Sequence, residues 1–180
     1  MKILFVFILS VLLYFESISQ QNDQSIIDIA ITKSKVYIVN NKNFVTIIDF
    51  NKSINEERLY LVDIRKRNIV LKTIVSHALK TGNIQNGFLY AENFSNVLHS
   101  NKSSLGAYLT KNTYYGRFGY SLVLKGLDKT NSIAEKRKII FHSNKKMRSK
   151  WSWGCFATHD TINTKLINII KNGTLVYVFK

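Results

Sequence analysis

One cysteine and one histidine are the residues of this sequence best suited to covalent chemistry. Cys155 is the chain's only cysteine, and it follows Gly154, whose missing side chain permits the tight turn that exposes a nucleophile. His142 comes thirteen residues earlier, directly after the apolar residues 139–141. A thiol attacks as its thiolate, and a neighbouring imidazole is a common base for making one. The pair predicts a cysteine nucleophile with a histidine base, while a buried, inert thiol is the alternative that spacing alone leaves open.

The remaining three histidines do not form a recognisable metal site. His77, His99 and His159 share no spacing typical of zinc ligands, so we predict neither a metal nor another cofactor. His159 lies close to Cys155 in sequence and is an alternative base, although its place before a predicted helix favours a role at the helix start. His77 follows an apolar stretch and is interpreted as a structural histidine.

Three basic clusters contribute to the net charge of +15. Residues 65–67 and 136–138 are interpreted as mostly solvated loops. Residues 145–150 lie between His142 and Cys155 and should therefore line any site that these two form. A cationic rim of this kind suits a carboxylate-bearing substrate and stabilises a thiolate.

The N-terminus has the pattern of a secretory signal peptide over residues 1–19. Lys2 precedes an apolar run over residues 3–15, and Ser17 and Ser19 are the small residues expected before a cleavage site. The run is shorter than the roughly 20 residues that span a bilayer. We therefore predict a protein exported to the periplasm or cell envelope, with no transmembrane segment after cleavage; an uncleaved anchor is the alternative.

Composition and charge limit the size of the domain and the classes of partner that it could bind. The chain has 180 residues, 46% of them hydrophobic, which is enough for a single domain with a real core. A single cysteine excludes a disulfide within the chain. The positive charge favours binding to a polyanion, and export makes an anionic cell wall or membrane surface a better partner than nucleic acid. The sequence does not indicate an oligomeric state.

Short strands dominate the predicted secondary structure. Residues 26–39 fit either a helix or a strand. A helix is predicted near the C-terminus, because Asp160 or Thr158 can cap it and Gly173 can end it. We predict a mainly β domain, a sandwich or barrel, with a few helices. The predicted strands are residues 44–50, 59–64, 68–76, 105–109, 120–124, 138–142 and 174–179, with a hairpin turn at 65–67.

Several ordered blocks resemble one known family. The clearest is Ser152-Trp153-Gly154-Cys155, preceded by a strand that ends in His142. On these motifs the sequence resembles the murein L,D-transpeptidase catalytic-domain family, in the YkuD-like branch with Trp-Gly-Cys. The other matching blocks are residues 48–50, 58–63, 75–77, 94–96, 102–110, 114–122 and 126–127.

The resemblance implies a function and a division of the chain. Such enzymes act on peptidoglycan stem tetrapeptides: the cysteine attacks the third residue's carbonyl, expels the terminal D-alanine and passes the acyl group to another stem in a 3→3 cross-link. Water as acceptor would make the enzyme an L,D-carboxypeptidase, and a non-catalytic wall-binding protein is a further alternative. The expected domains are residues 1–19 as signal peptide, 20–43 as an N-terminal segment and 44–180 as the catalytic domain.

The resemblance also implies roles for individual residues. Cys155 is the expected nucleophile and His142 the expected base and acid, oriented through the backbone carbonyl of Ser143. Backbone N–H groups at Gly154 and Cys155 are expected to bind the oxyanion. Other expected contributors to substrate binding are Ser152, Trp153 and the hydroxyl of Tyr120.

Four positions differ from the family's pattern. Ser143 stands where the family has glycine, Trp151 where it has arginine, Phe156 where it has proline and Phe118 where it has histidine. The stretch between the histidine and the cysteine is also shorter than is usual in this branch. These differences lie close to the expected catalytic groups.

Overall fold

The computed structural model describes residues 2–145 and 150–180, except for the side chains of residues 2–7, 9, 12 and 15. Within these residues, two α-helices, α1 (Lys2–Val36) and α2 (Asp160–Ile170), accompany a single eight-stranded sheet. The strands are β1 (Asn41–Asp49), β2 (Leu59–Asp63), β3 (Asn68–Thr73), β4 (Gly106–Gly116), β5 (Gly119–Gly126), β6 (Ile140–Ser143), β7 (Phe156–Thr158) and β8 (Thr174–Phe179).

The strands follow the order β3-β2-β1-β8-β4-β5-β6-β7 across the sheet. Most neighbours are antiparallel, but β1 pairs with β8 and β6 pairs with β7 in parallel. Strand β8 therefore lies near the middle of the sheet, between strands from the two halves of the chain. Strands β6 and β7 lie at one edge; β6 carries His142, and β7 begins directly after Cys155.

A first hydrophobic core lies on one face of the curled sheet. Alternate residues of each strand point into it, as the two-residue period of a β-strand requires. Helix α2 closes this core with the completely buried side chains of Leu166, Ile167 and Ile170. Phe141 of β6 and Phe156 of β7 belong to the same core, so the edge strands are anchored from inside.

The second core lies on the other face of the same sheet, under helix α1. Ile26, Ile27 and Ala30 of the helix are buried there against strand residues such as Val45 and Leu175. Both faces of the central strands are therefore covered. No described side chain before Ile26 is buried.

The mainly β fold with a helix near the C-terminus is confirmed. The hairpin around residues 65–67 and the strand Thr174–Phe179 are found as predicted. The ambiguous residues 26–39 are helical as far as Val36, because an apolar helix face covers the second core. Helix α2 begins after His159 without a side-chain cap, so neither predicted capping residue acts at its N-terminus.

Strand β7 was not predicted. It has only three residues, too few to show a two-residue hydrophobic period. Within residues 2–145 and 150–180, no helix is long and apolar enough to cross a membrane.

Candidate active site

His142 is a buried residue whose ring orientation is fixed by its own backbone. It lies on β6 with 3% of its surface exposed, and its Nδ1–H donates to the carbonyl oxygen of Ser143 at 2.8 Å. A carbonyl can only accept, so this contact fixes the tautomer and leaves Nε2 with the lone pair. Burial lowers the pKa of His142, partly offset by this hydrogen bond, so the ring is neutral at physiological pH.

Cys155 is half-buried immediately before β7. Its Sγ lies 3.5 Å from the carbonyl oxygen of Lys138, to which the thiol donates. Burial raises the pKa of Cys155 to about 11, against the lowering effects of the Ile140 backbone and of the Arg137 charge. The thiol is therefore protonated at neutral pH in the free protein.

The pairing of β6 with β7 brings the two candidate residues close together. Phe141 aligns with Phe156, and His142 aligns with Ala157, two residues after Cys155. Because successive strand residues alternate between faces, His142 is on the face opposite to Phe141 and Phe156. Among the described residues, no hydrogen bond joins the His142 ring to Cys155 Sγ. Catalytic hydrogen bonds often form only when substrate is bound, so the absence of this bond in the free protein is compatible with His142 acting as the base for Cys155.

The turn before Cys155 is held by Ser152. Its Oγ donates to the carbonyl of Cys155 at 2.6 Å and accepts from the N–H of Gly154 at 3.2 Å. Gly154 has a φ of +127°, and a Cβ there would stand 3.0 Å from Ile139 Cδ1 and 3.2 Å from the Lys102 carbonyl. Both the conformation and the space therefore require glycine at this position.

A neighbouring segment supports the same turn from the side. The N–H of Ser152 donates to the carbonyl of His77, and the N–H of Ser76 donates to the carbonyl of Ala157, both at 2.9 Å. The hydroxyl of Ser76 accepts from the N–H of Ala157 at 2.8 Å. Residues 76–79 thus continue the sheet beside the cysteine turn, which explains why the block at residues 75–77 accompanies it.

His77 is a structural residue, as interpreted from the sequence. It is completely buried, with Nδ1 accepting from Arg58 Nη2 at 2.9 Å and Nε2–H donating to the Phe88 carbonyl at 3.1 Å. Burial and the charge of Arg58 lower the pKa of His77 to about 3. Arg58 is also fully buried and donates to the carbonyls of Val75 and Lys52.

Arg137 does not have the solvated role predicted for residues 136–138. Its guanidinium is half-buried and donates to Ser95 O at 2.6 Å, Ser104 Oγ at 3.2 Å and Ser100 Oγ at 3.3 Å, and also to Lys102 O. Its positive charge acts on Cys155. Sequence reasoning missed it because a run of charged residues is typical of an exposed loop.

Phe118 takes part in the site by covering the histidine. Its ring is stacked on that of His142, with centroids 4.4 Å apart and an interplanar angle of 25°. This contact helps to bury His142, and burial is the main cause of its lowered pKa.

The other predicted contributors lie at the edges of the site. The hydroxyl of Tyr120 donates to Asn168 Oδ1 on α2 at 3.3 Å, so its described hydrogen bond leads to the helix and not to His142 or Cys155. Trp153 is 80% exposed next to the cysteine turn. Trp151 Nε1–H donates to the Phe88 carbonyl at 2.9 Å. Of the basic cluster at residues 145–150, residues 146–149 lie outside the described part.

Within the described residues, no group of three or more His, Cys, Asp or Glu side chains could hold a metal ion. The arrangement that remains is a thiol, a neutral imidazole with a fixed tautomer, and a nearby guanidinium. Such groups can support nucleophilic attack by sulfur on a carbonyl.

These features agree with a comparison of the whole sequence with known families. A model of the L,D-transpeptidase catalytic domain matches residues 18–179, and the chain belongs to this family. The match includes the N-terminal residues 20–43 that we distinguished from the catalytic domain. The chain has no significant match among curated proteins.

Solved structures show the same fold at low sequence identity. The helical cell shape determining protein Pgp2 of Campylobacter jejuni is 11% identical with a TM-score of 0.52, over 86% of this chain and 54% of that one. Bd1075 of Bdellovibrio bacteriovorus is 14% identical with a TM-score of 0.50, over 79% and 50% of the two chains. The present chain thus spans about half the length of these structures.

Proposed function

We propose that this protein is an exported cysteine acyltransferase that processes peptidoglycan stem peptides. Membership of the L,D-transpeptidase catalytic domain family supports the reaction class. The observation that carries the proposal is the 2.8 Å hydrogen bond from His142 Nδ1 to the carbonyl of Ser143. This bond leaves Nε2 available as a base on the strand beside the cysteine turn.

In the proposed reaction, His142 Nε2 takes the thiol proton as Cys155 Sγ attacks the carbonyl of the third stem residue. The tetrahedral intermediate then collapses, the carbon–nitrogen bond to D-alanine breaks, and His142 returns the proton to the departing amine. A thioester remains on Cys155. An amine from a second stem then attacks the thioester, loses its proton to His142 and releases the thiol, which forms the cross-link.

Groups around Cys155 can stabilise the negative charge that develops on the oxyanion and on the sulfur. The backbone N–H of Cys155 is proposed to receive the oxyanion, with Ser152 and Trp153 beside it. The N–H of Gly154, which we also expected to do so, donates instead to Ser152 Oγ at 3.2 Å. Arg137 adds a positive charge next to the sulfur. Because the thiol is protonated in the free protein, His142 must take its proton as attack begins.

The acceptor determines the product. A stem amine as acceptor gives a 3→3 cross-link, whereas water gives L,D-carboxypeptidase activity. We propose the periplasm or cell envelope as the location, in line with the signal-peptide pattern of residues 1–19. The net charge of +15 favours binding to an anionic wall.

Intact-mass measurement after incubation with a carbapenem tests this function. We expect a mass gain equal to one drug molecule, because the resemblance implies that these cysteines are acylated by this drug class. Cys155 is the chain's only cysteine, so Cys155→Ala should abolish the adduct. Muropeptide digestion then separates cross-linked from trimmed products. An unmodified, folded protein that also leaves muropeptides unchanged contradicts the proposal.

A second candidate is a wall-binding protein without catalysis. The observation that favours it is the state of the thiol without substrate. Cys155 Sγ is hydrogen-bonded to the Lys138 carbonyl oxygen, and burial raises the pKa of Cys155 to about 11. This candidate predicts retention on isolated sacculi with no acylation of Cys155, and with equal retention by Cys155→Ala.

A further inference from the structure

A pocket of about 230 Å³ opens directly beside the cysteine turn. We call it the cationic pocket; its polar and aromatic lining consists of His99, Asn101, residues 136–138 and Trp153. Two of its walls belong to the candidate active site. The Lys138 carbonyl accepts from Cys155 Sγ, and Trp153 precedes Cys155 by two positions. The pocket therefore adjoins the cysteine turn through two of its lining residues.

The lining of the pocket carries positive charge that no acidic side chain of the lining neutralises. It contains Lys136, Arg137 and Lys138 but no acidic side chain. The ion pairs found in the described part of the chain involve Arg67, Lys72 and Lys145, all outside this pocket. An uncompensated cluster of this kind attracts an anionic group.

Arg137 is the lining residue whose side chain is held in place by hydrogen bonds. Its guanidinium donates only to uncharged acceptors of residues 95–104, as described above, and so ties that loop to the pocket. The ammonium groups of Lys136 and Lys138 have no such ties among the described contacts, and both side chains are exposed. Arg137 therefore shapes the pocket, while the two lysines are available to a ligand.

The backbone around the pocket is held in an uncommon conformation. His99, Asn101 and Lys138 have φ values of 60°, 53° and 57°, in the left-handed region that non-glycine residues rarely adopt. Such residues cluster at binding and catalytic sites, where the surrounding structure maintains the strain. Three of them around a single pocket indicate a preformed site.

Trp153 supplies the aromatic part of the pocket's lining. It is 80% exposed, which leaves most of a large aromatic side chain open beside the lysines. An aromatic face next to cationic groups suits a ligand with a short apolar part and an anionic end. Nothing within the described residues covers this ring.

We propose that the cationic pocket is the subsite for the terminal carboxylate of the peptide residue that Cys155 expels. Lys136 and Lys138 pair with the carboxylate, and Trp153 packs against the adjoining methyl group. The proposal rests on the proposed function, because that function places the scissile carbonyl at Sγ and the carboxylate one residue beyond it. Release of this residue then empties the pocket before the acceptor attacks.

Binding can be measured without turnover in the full chain carrying Cys155→Ser. We expect a stem tetrapeptide to bind at least tenfold more tightly than the same peptide with its terminal carboxylate amidated. Lys136→Gln with Lys138→Gln should weaken binding of the acid by a similar factor. In this double variant the acid and the amide should bind equally, which a loss of general electrostatic attraction does not predict.

A matched pair of charge changes serves as the control. Lys111→Gln with Lys125→Gln removes two exposed lysines from β4 and β5, outside the pocket, and should leave the preference for the acid intact. The proposal is overturned if the control pair acts like the pocket pair, or if the preference persists without Lys136 and Lys138. Equal displacement of the peptide by inorganic phosphate and by D-alanine would also contradict it, as it would identify an unselective anion site.

Failure of this subsite is distinguishable from failure of the proposed function. Carbapenem acylation of the chain with intact Cys155 reports on catalysis alone. Acylation without a carboxylate preference overturns the subsite and leaves the function standing. A carboxylate preference that depends on the two lysines, without acylation, supports the subsite in a wall-binding protein.

Discussion

The ionisation of Cys155 determines when its sulfur can act as a nucleophile. Burial holds the thiol neutral, and burial together with the stacked Phe118 holds His142 neutral as well. Two neutral partners do not attract each other strongly in the free state. The arrangement is suited to a nucleophile that ionises only as its proton passes to the base, after substrate has bound.

This state gives a testable pH dependence. We expect alkylation of native Cys155 by iodoacetamide to accelerate with pH through pH 9 and towards about 11, because only the thiolate reacts. For the chain unfolded in urea, the alkylation rate should level off above the ordinary thiol pKa of about 8.5. Stopped-time mass spectrometry measures both rates, and a native plateau below pH 8 contradicts the raised pKa.

The sequence was informative about some residues of the site and not about others. Gly154 could be identified because a glycine before a nucleophile has a conformational reason, and its φ of +127° agrees. The hydrogen bond from His142 to the carbonyl of Ser143 agrees with the geometry that the resemblance implied. Arg137 could not be identified, because its hydrogen-bond acceptors lie more than thirty positions away in sequence.

At the scale of elements, helix α2 supports the strands that carry the site. Its buried face packs into the core that also contains Phe141 of β6 and Phe156 of β7. The helix was predictable because its apolar residues recur at helical spacing over eleven positions. Strand β7 was not, because three residues carry no period and its pairing with β6 is decided by the sheet.

Removing one side chain of α2 measures this support. We expect Leu166→Ala to lower the free energy of unfolding by about 2–5 kcal/mol, because the residue is completely buried and its truncation leaves a cavity. Thr164→Ala on the exposed face is the matched control and should change it by less than about 0.5 kcal/mol. Urea denaturation gives both values, and equal effects would contradict the packing role of the helix face.

The Arg58–His77 pair links strand β2 to the segment beside the cysteine turn, and it makes stability depend on pH. The folded protein keeps His77 neutral down to about pH 3, whereas the unfolded chain protonates it near 6.5. Between these values the unfolded chain binds more protons, so this contribution to stability falls as pH is lowered. It is complete above about pH 6.5.

A substitution isolates this contribution. We expect His77→Gln to lower stability at pH 8 by about 1–3 kcal/mol, because it disrupts the hydrogen bonds to Arg58 and Phe88. The difference from the unsubstituted protein should shrink between pH 6.5 and 4. Thr164→Ala, an exposed change that removes no titratable group, should show no such trend. Urea midpoints across this range provide the test, and a constant difference for His77→Gln contradicts it.

At the scale of the whole molecule, one sheet carries two cores. Helix α1 covers the second core only from Ile26 onwards, since the described side chains before it are exposed or half-exposed. The sequence left residues 26–39 undecided, because apolar residues that cover a sheet from outside resemble those of a buried strand. The fold class was clearer, since it depends on many strands rather than on one boundary.

Truncation distinguishes the two parts of α1. We expect the chain without residues 1–19 to keep its melting temperature, whereas removal of residues 1–36 should lower it by several degrees or more, since it uncovers the second core. Thermal unfolding followed by circular dichroism measures both. A large loss from the shorter truncation would show that the first nineteen residues stabilise the domain.

The position of β8 has a consequence for the order in which the molecule can fold. Residues 174–179 come after all other strands in the chain, yet they join β1 to β4 in the middle of the sheet. Until they are in place, the β3-β2-β1 and β4-β5-β6-β7 halves each present an open edge, where a foreign strand can pair. The two half-sheets can therefore be joined only after residues 174–179 have been synthesised, so the pairings of β8 with β1 and β4 depend on the last of these strands to leave the ribosome.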